Sequence, residues 1–528
     1  MAAPVATEPV ADPASTPRRV RLMRAGLLFA TFACAACGLV YELALVAQGS
    51  YLLGDSVTQA SVVLSTMVFA MGIGSLAAKP LQRRPLAGFA VIEAVLAIVG
   101  GLSVLALHAA FTWLDLYWPS LIAIALVIGG LIGAEIPLLM TLLQKIRRQE
   151  AGSATADLFA ADYIGALVGG LAFPFVLLPL LGQTRGALVV GMINAVAGAA
   201  VVLWLFHRSV SLARRIAVAA GTLVVLAVLG IAFAGSDAFL RYARSELYED
   251  PVVYSEQTAY QEIVVTESAP ITEGPTDTRL FLNGDLQFSS IDEYRYHESL
   301  VHPAMAGRHE RVLVLGGGDG LAMREVLRYP DVREAVEVEL DPAVLRLARD
   351  DARLTGLNGG SLTDPRVRVV TADAFAWLRD AAARFDVVIV DMPDPDSTAT
   401  AKLYSEEFYT LAGQVLAPGG RMVVQAGSPF FAPRSFDCIL STIRAAGLGV
   451  TPYHVNVPSF GDWGFALATA AGPPPLRLAA PAPLRFLDQP TLTASAVFPA
   501  DRRPVGEPPS TLDNPRIMRL VMQEWQQY

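Results

Sequence analysis

Between Val312 and Asp341 the chain reads V-L-V-L-G-G-G-D-G and, after a helix-length interval, V-E-V-E-L-D. The apolar run 312–315 predicts a buried strand, and the glycines after it predict a tight turn into a helix. Gly316 and Gly318 allow the backbone to approach a ligand where a Cβ would collide. About 20 residues on, a second strand ends at Glu339, whose carboxylate can hold ribose hydroxyls. This is the pattern of a nucleoside-binding site on a doubly wound sheet. Asp319 lies inside the glycine turn, where its carboxylate would repel a phosphate. The pattern therefore predicts a nucleoside ligand that carries a cation.

The next strands also end at acids. Asp373 stands in T-A-D-A, Asp391 closes D-V-V-I-V-D, and Asp394 follows in D-M-P-D-P. Ligands on such sheets bind at the carboxyl ends of the strands, so with Asp319 and Glu339 five carboxylates reach one rim. A single strand-end Asp commonly caps the following helix. Five of them, with only Lys402 and Arg324 as nearby positive charges, predict an acidic cleft that selects a cationic substrate.

The elements that must carry these acids begin after residue 250. Short strands with turns (V-V-Y-S-E, Y-Q-E-I-V-V-T-E, R-L-F-L-N-G-D-L-Q-F) predict a small antiparallel β domain over 251–307, with a hairpin at Asn283-Gly284. Strands at 312–315, 335–339, 367–370, 386–391 and 421–425 alternate with helical stretches. They predict an α/β doubly wound, Rossmann-like sheet of the methyltransferase type over 308–470. Residues 471–528 form a proline-rich extension that wraps the surface and closes with a helix near 514–527.

The first half of the chain is of another kind. Mean hydropathy is +0.45, and the apolar excess is confined to the first 235 residues. Stretches at 22–48, 57–78, 86–111, 119–144, 157–181, 184–206 and 216–235 are each long enough to cross a bilayer. They predict an α-helical multi-pass domain of about seven spans over 22–235, in the cell (inner) membrane, with the lipid bilayer as partner. Residues 1–21 are expected as a disordered tail and 236–250 as an amphipathic connector at the interface. Arg18, Arg19, Arg21, Arg24, Lys79, Arg83, Arg84, Lys145, Arg147, Arg148, Arg208, Arg214 and Arg215 fall in alternate loops and place the N-terminus in the cytoplasm. Seven spans then put the remainder outside, and one re-entrant segment would reverse that; the sequence leaves the side open. Glu42, Glu93 and Glu135 inside the spans are candidates for a cation path or for buried polar pairing. Cys34 and Cys37 form a C-x-x-C within the first span, and Gly165 with Gly169 a G-x-x-x-G; both read as helix packing. The net charge of −9 argues against a nucleic-acid partner, and no His/Cys/Asp spacing implies a metal.

Y-Q-E-I, L-N-G-D-L-Q, D-E-Y-R-Y-H-E, G-G-G-D-G, V-E-L-D, A-D-A, D-M-P-D-P, L-Y-S-E-E-F-Y and Q-A-G-S-P occur in that order over about residues 250–470. The series resembles the spermidine synthase (polyamine aminopropyltransferase) family, and L-V-Y-E-L in the first span resembles its membrane-fused members. The resemblance implies transfer of the aminopropyl group of decarboxylated S-adenosylmethionine, as co-substrate, to putrescine or a similar diamine. It implies that Gln261 contacts the methylthioadenosine part, Glu339 the ribose, and Asp373 with Ala374 the adenine. Gly316 and Gly318 form the turn beneath, and Asp319 takes the aminopropyl ammonium. His297 and Tyr296 line the amine site, Asp391 is the base aided by Tyr296, and Asp394 anchors the amine. Gln287 and Gln425 add polar contacts, and no prosthetic group is implied. Self-association is common in the family, so a homodimer is an expectation.

Two positions depart from the family pattern. An expected proline after Asp394 falls on Thr398, and an amine-pocket tyrosine is replaced by Phe460, for which Asp462 is a candidate substitute. His297 also has a purely structural reading, and Tyr404, Phe408 and Tyr409 at helical spacing read as core. Two other functions fit the same sheet: an S-adenosylmethionine-dependent amine methyltransferase, against which Asp319 and the Asp391/Asp394 pair argue, and a non-catalytic polyamine sensor or transporter.

Overall fold

The computed structural model describes residues 17–53, 56–114, 116–146, 151–248, 250–268 and 276–525. The chain divides into two compact units, Met1–Glu249 and Asp250–Tyr528.

The N-terminal unit is helical: α1 (Pro17–Leu53), α2 (Ser56–Ala77), α3 (Pro85–Leu114), α4 (Tyr117–Ile146), α5 (Ala151–Ala172), α6 (Leu178–Ala200) and α7 (Leu212–Leu247). α1 starts inside the stretch expected as a tail, because a proline suits a first helical turn; residues 1–16 of that expectation lie outside the described residues, as do Arg147 and Arg148. The separate connector expected over 236–250 is also corrected. α7 runs unbroken to Leu247, since no breaker follows Gly235 and Ser236 Oγ donates back to the Phe233 carbonyl at 2.9 Å.

Among the described residues, six helical runs are long and apolar enough to cross a membrane, the longest being the 51 residues Thr155–Leu205. At 1.5 Å per residue that run would be about 77 Å long, against a hydrocarbon core of about 30 Å. It is in fact two rods. Gly182 breaks it at φ +69°, ψ 178°. α5 runs parallel to α1: a Cβ on Gly165 would lie 2.2 Å from the Phe32 carbonyl oxygen, and one on Gly169 2.3 Å from that of Ala36. α6 runs the other way. Cys37 Sγ meets the Val190 carbonyl at 3.7 Å, while Leu27, nearer the start of α1, packs with Val201 and Phe206 just beyond α6. Seven rods result.

The C-terminal unit holds two sheets. The smaller has the order β1 (Val252–Gln257), β2 (Glu262–Ser268), β3 (Asp277–Leu282), β4 (Asp285–Ser289), all antiparallel. Asn283 and Gly284 turn β3 into β4 with φ of 53° and 94°, as a two-residue hairpin requires. The larger sheet contains β5 (Arg311–Gly316), β6 (Glu334–Glu339), β7 (Val367–Thr371), β8 (Phe385–Asp391), β9 (Leu416–Gln425), β10 (Gly449–Val457) and β11 (Gly461–Thr469), in the order β10-β11-β9-β8-β5-β6-β7. β5 to β9 are parallel, and β10 and β11 are antiparallel. Alternate residues bury on opposite faces. Leu313, Leu315, Val388 and Val390 pack with Phe408, Ile439 and Ile517, whereas Val312, Val314, Val387 and Ile389 pack with Leu300, Met323 and Val326. The β10–β11 pair was not among the expected strands. The buried run of β11 is continuous rather than alternating, and a left-handed Gly461 (φ +84°) closes the hairpin. The closing helix spans Arg516–Trp525 and buries Ile517, Leu520 and Val521.

The close approach of α1 and α5 makes a prediction. Gly165→Ala or Gly169→Ala should lower stability by about 1–3 kcal/mol through overpacking against backbone. Gly72→Ala, which meets nothing within 4 Å, should not; thermal unfolding in detergent distinguishes them.

Candidate active site

The strand ends converge as the parallel register dictates, Gly316 beside Asp391 and Leu315 beside Val338. Gly316 adopts φ +79°, and a Cβ there would lie 2.1 Å from the Asp391 carbonyl oxygen. Gly318 abuts Glu339, where a Cβ would fall 2.7 Å from Cγ. Only glycine lets these two strand ends close on one another. Asp319 Oδ1 accepts from the Leu321 amide at 2.8 Å at the start of the next helix. Burial raises its carboxyl despite the opposing pull of His297 and Arg324.

Glu339 accepts from the Asp341 amide at 2.9 Å and is pushed up to about 7, mainly by burial. Asp341 caps the helix that follows and binds the Thr258 hydroxyl at 2.7 Å and Gln261 Nε2 at 3.2 Å. It thereby ties Gln261, just before β2, to the end of β6. Asp341 was quoted in a motif but missed as a positioning residue. Asp373 caps the next helix through the Ala376 amide at 2.9 Å, and Lys402 Nζ reaches its other oxygen at 2.5 Å. Burial alone would raise this carboxyl, but those two donors hold it below the usual range. Ala374 is buried beside it.

At the end of β8, Asp391 Oδ1 accepts from the Tyr296 hydroxyl at 2.5 Å. Tyr296 is on the helix Glu293–Val301, wedged against Phe460 and Phe465 with ring centroids 5.8 and 5.4 Å away. Burial, reinforced by Asp319, pushes Asp391 up to about 6, against the lowering influence of His297 and Tyr296. Burial and Asp391 raise the Tyr296 phenol well above its ordinary value, so it stays a donor. His297 Nδ1 is committed to Glu293, 2.8 Å from its carbonyl and 2.9 Å from Oε2, leaving Nε2 for any other partner. Glu293 in turn is gripped by two Arg324 nitrogens at 3.0 and 2.9 Å. Sequence reading missed Glu293 and gave Arg324 no role; a carboxylate one turn before a histidine was the available signal. Burial opposes the charged imidazole, yet Glu293, Asp319 and Asp391 raise it overall.

Asp394 is pushed up to about 6 by burial, with Asp396 adding repulsion and Gln425 opposing it. Gln425 is a clamp rather than a ligand contact, which corrects the expectation. Its Nε2 lies 2.7 Å from the Met392 carbonyl, 3.2 Å from Asp394 and 2.5 Å from the Tyr404 hydroxyl, and Oε1 accepts from the Gly427 amide. Gln287 donates its Nε2 to the Asp285 carbonyl at 3.1 Å. Asp285 itself was missed. Solvent reaches it, yet desolvation by the surrounding protein and repulsion from Asp396 and Asp394 push its carboxyl up to about 7. Phe460 packs on Tyr296 and Trp463. Asp462 is no substitute for the absent tyrosine, because its carboxylate is held by His454 Nδ1 at 2.6 Å. Thr398 opens a short helix capped by Ser397.

Burial, with like-charge crowding, raises Asp319, Glu339, Asp391 and Asp394, and a cation placed among them reverses the effect. The arrangement can thus bind a cationic nucleoside and an amine side by side, with one carboxylate available as a base.

Residues 293–475 match the Spermine/spermidine synthase domain family. The chain is 59% identical to polyamine aminopropyltransferase 1 of Streptomyces coelicolor, covering 98% of each. It is 50% identical to polyamine aminopropyltransferase of Mycobacterium tuberculosis, covering 95% of this chain and 97% of that one. A solved spermidine synthase in complex with the transition state analogue AdoDATO is 26% identical, with a TM-score of 0.42 over 47% of this chain and 85% of that one. By this sequence identity along nearly its whole length, the chain belongs to the polyamine aminopropyltransferase family.

Proposed function

We propose that the C-terminal unit transfers the aminopropyl group of decarboxylated S-adenosylmethionine to a diamine such as putrescine, giving spermidine and methylthioadenosine. The observation that carries this reading is Asp391, raised to about 6, near Asp319 and bonded to Tyr296, a tyrosine that Asp394 also influences. Glu339 would hold the ribose, and Asp373 with Ala374 would face the adenine. Asp319 would take the aminopropyl ammonium. An intact cofactor would set its own carboxylate against this acid, which favours the decarboxylated form.

The attacking amine is protonated at neutral pH and must lose a proton first. Asp391 accepts it while the Tyr296 hydroxyl donates to Asp391 and fixes its orientation. The nitrogen lone pair then forms a bond to the methylene carbon, and the carbon–sulfur bond breaks with its electrons returning to sulfur. Asp394, aided by Asp396 and Asp285, would hold the distal ammonium. Alignment of nitrogen, carbon and sulfur supplies much of the acceleration.

For the N-terminal unit we propose insertion in the inner membrane. Support comes from the apolar outer surface of its rods, where Phe69 and Leu180 are 65% and 76% exposed. After carbonate washing the full chain should stay in the membrane pellet; release into the supernatant would contradict insertion.

Asp391→Asn should cut the rate of methylthioadenosine release by about 10²–10⁴-fold. The same change should raise thermal stability. A carboxyl whose folded pKa is raised contributes stability only at low pH and loses it as pH rises through about 6, so a neutral amide removes a cost at pH 7. Loss of activity with lowered stability would point to misfolding instead. In the wild type, kcat/KM should fall as pH drops through about 6, as Asp391 and Asp394 take up protons. A flat profile between pH 5 and 8 would remove Asp391 as the base.

A further inference from the structure

In the N-terminal unit, three helices bring ligand atoms to one buried point. Cys34 on α1, Glu93 on α3 and Glu135 on α4 each offer an atom within 4.8 Å of the others, and their exposures are 1%, 1% and 5%. α6 adds Asn194, fully buried, whose Nδ2 lies 3.4 Å from the Glu93 carbonyl oxygen. Asn194 Oδ1, both carboxylate oxygens of Glu93 and Oε1 of Glu135 have no hydrogen-bond partner. Every one of these orphans is an acceptor.

The charged groups that face Glu93 and Glu135 are each other and Asp162, all acids. Arg24 is paired with Asp157, and Arg185 with Asp237, so these arginines are engaged elsewhere. Two carboxylates in an apolar bundle require a proton or a cation between them. A shared proton and the Cys34 thiol can each give the carboxylates one bond, which still leaves Asn194 Oδ1 without a donor. A metal ion uses sulfur, two carboxylates and the amide oxygen together. Four donors, one of them sulfur, fit a tetrahedral ion of the zinc class and not the all-oxygen shells of magnesium or calcium. Space decides against an amine: the backbone at Gly198 presses on Glu93, where a Cβ would lie 2.5 Å from Glu93 Cβ. The packing favours a bare ion over an alkyl chain.

We propose that Cys34, Glu93 and Glu135, with Asn194 as fourth donor, form a structural site for a divalent transition-metal ion that ties α1, α3, α4 and α6 together. Four protein donors leave no open position, so the site is structural and not catalytic. Binding converts the Cys34 thiol to a thiolate and releases its proton, so affinity falls with falling pH.

The test uses the full chain in detergent, stripped with a chelator and titrated with Co²⁺ and Zn²⁺ alone. Wild type should gain a thiolate-to-cobalt charge-transfer band, bind one ion per chain and unfold at a higher temperature. Cys37→Ser should keep the band, because Cys37 Sγ faces the Val190 carbonyl, and Cys34→Ser should lose it. Glu135→Gln keeps the thiol and guards against misfolding of the Cys34 variant. It should weaken metal binding by at least the ~10–100-fold typical of losing even an outer-shell partner. A wild type with no band and no metal-dependent stabilisation, as a shared proton would give, overturns the site. So does a band that survives in Cys34→Ser, or unchanged affinity in Glu135→Gln.

Discussion

Carboxylates gathered at the carboxyl ends of β5, β6 and β8 repel one another inside protein that screens them poorly, and the catalytic half of the molecule is organised around that repulsion. Asp319, Glu339, Asp391 and Asp394 are all raised, with burial as the first cause in each case. A site built this way disfavours its own ionised state and favours whatever cation enters it. Selectivity for a cationic nucleoside and an amine follows from the same cost. A parallel sheet makes the crowding unavoidable, because register brings Gly316 level with Asp391 while each strand delivers its acid to one edge.

Holding such acids in place requires a shell of committed partners. Arg324 grips Glu293, Glu293 fixes His297, and His297 lowers both Asp319 and Asp391. Gln425 links Met392, Asp394 and Tyr404 on the other side. The outer partners thus set the charge and orientation of the acids at the rim.

The helical unit follows a different rule. Glycines at 165 and 169 bring α5 onto the backbone of α1, and Gly198 brings α6 onto Glu93. Close backbone contact gives these apolar rods a tight van der Waals interface.

Much of the fold was legible along the chain, because it rests on local properties. The glycine turn at 316–320, the alternation of strand and helix, the Asn283-Gly284 hairpin and the apolar rods each follow from backbone freedom or from hydrophobic period over a few residues. The acids at strand ends were legible for the same reason, since a strand's last residue must lie at the sheet's edge. What each acid touches was not. The Glu293–Arg324 bond spans 31 residues and the Tyr296–Asp391 bond 95. Gln425 read as a substrate contact until packing turned it to Met392 and Tyr404, and Asp462 read as a substitute hydroxyl until His454 took it. The β10–β11 pair, the continuation of α7 through the expected connector, and the grouping of Cys34 with Glu93 and Glu135 likewise needed the assembled chain. Sequence determines which residues are polar, flexible or apolar at each position. Tertiary packing alone decides which distant polar groups meet, because a buried donor or acceptor must take whichever partner the close-packed interior brings within reach.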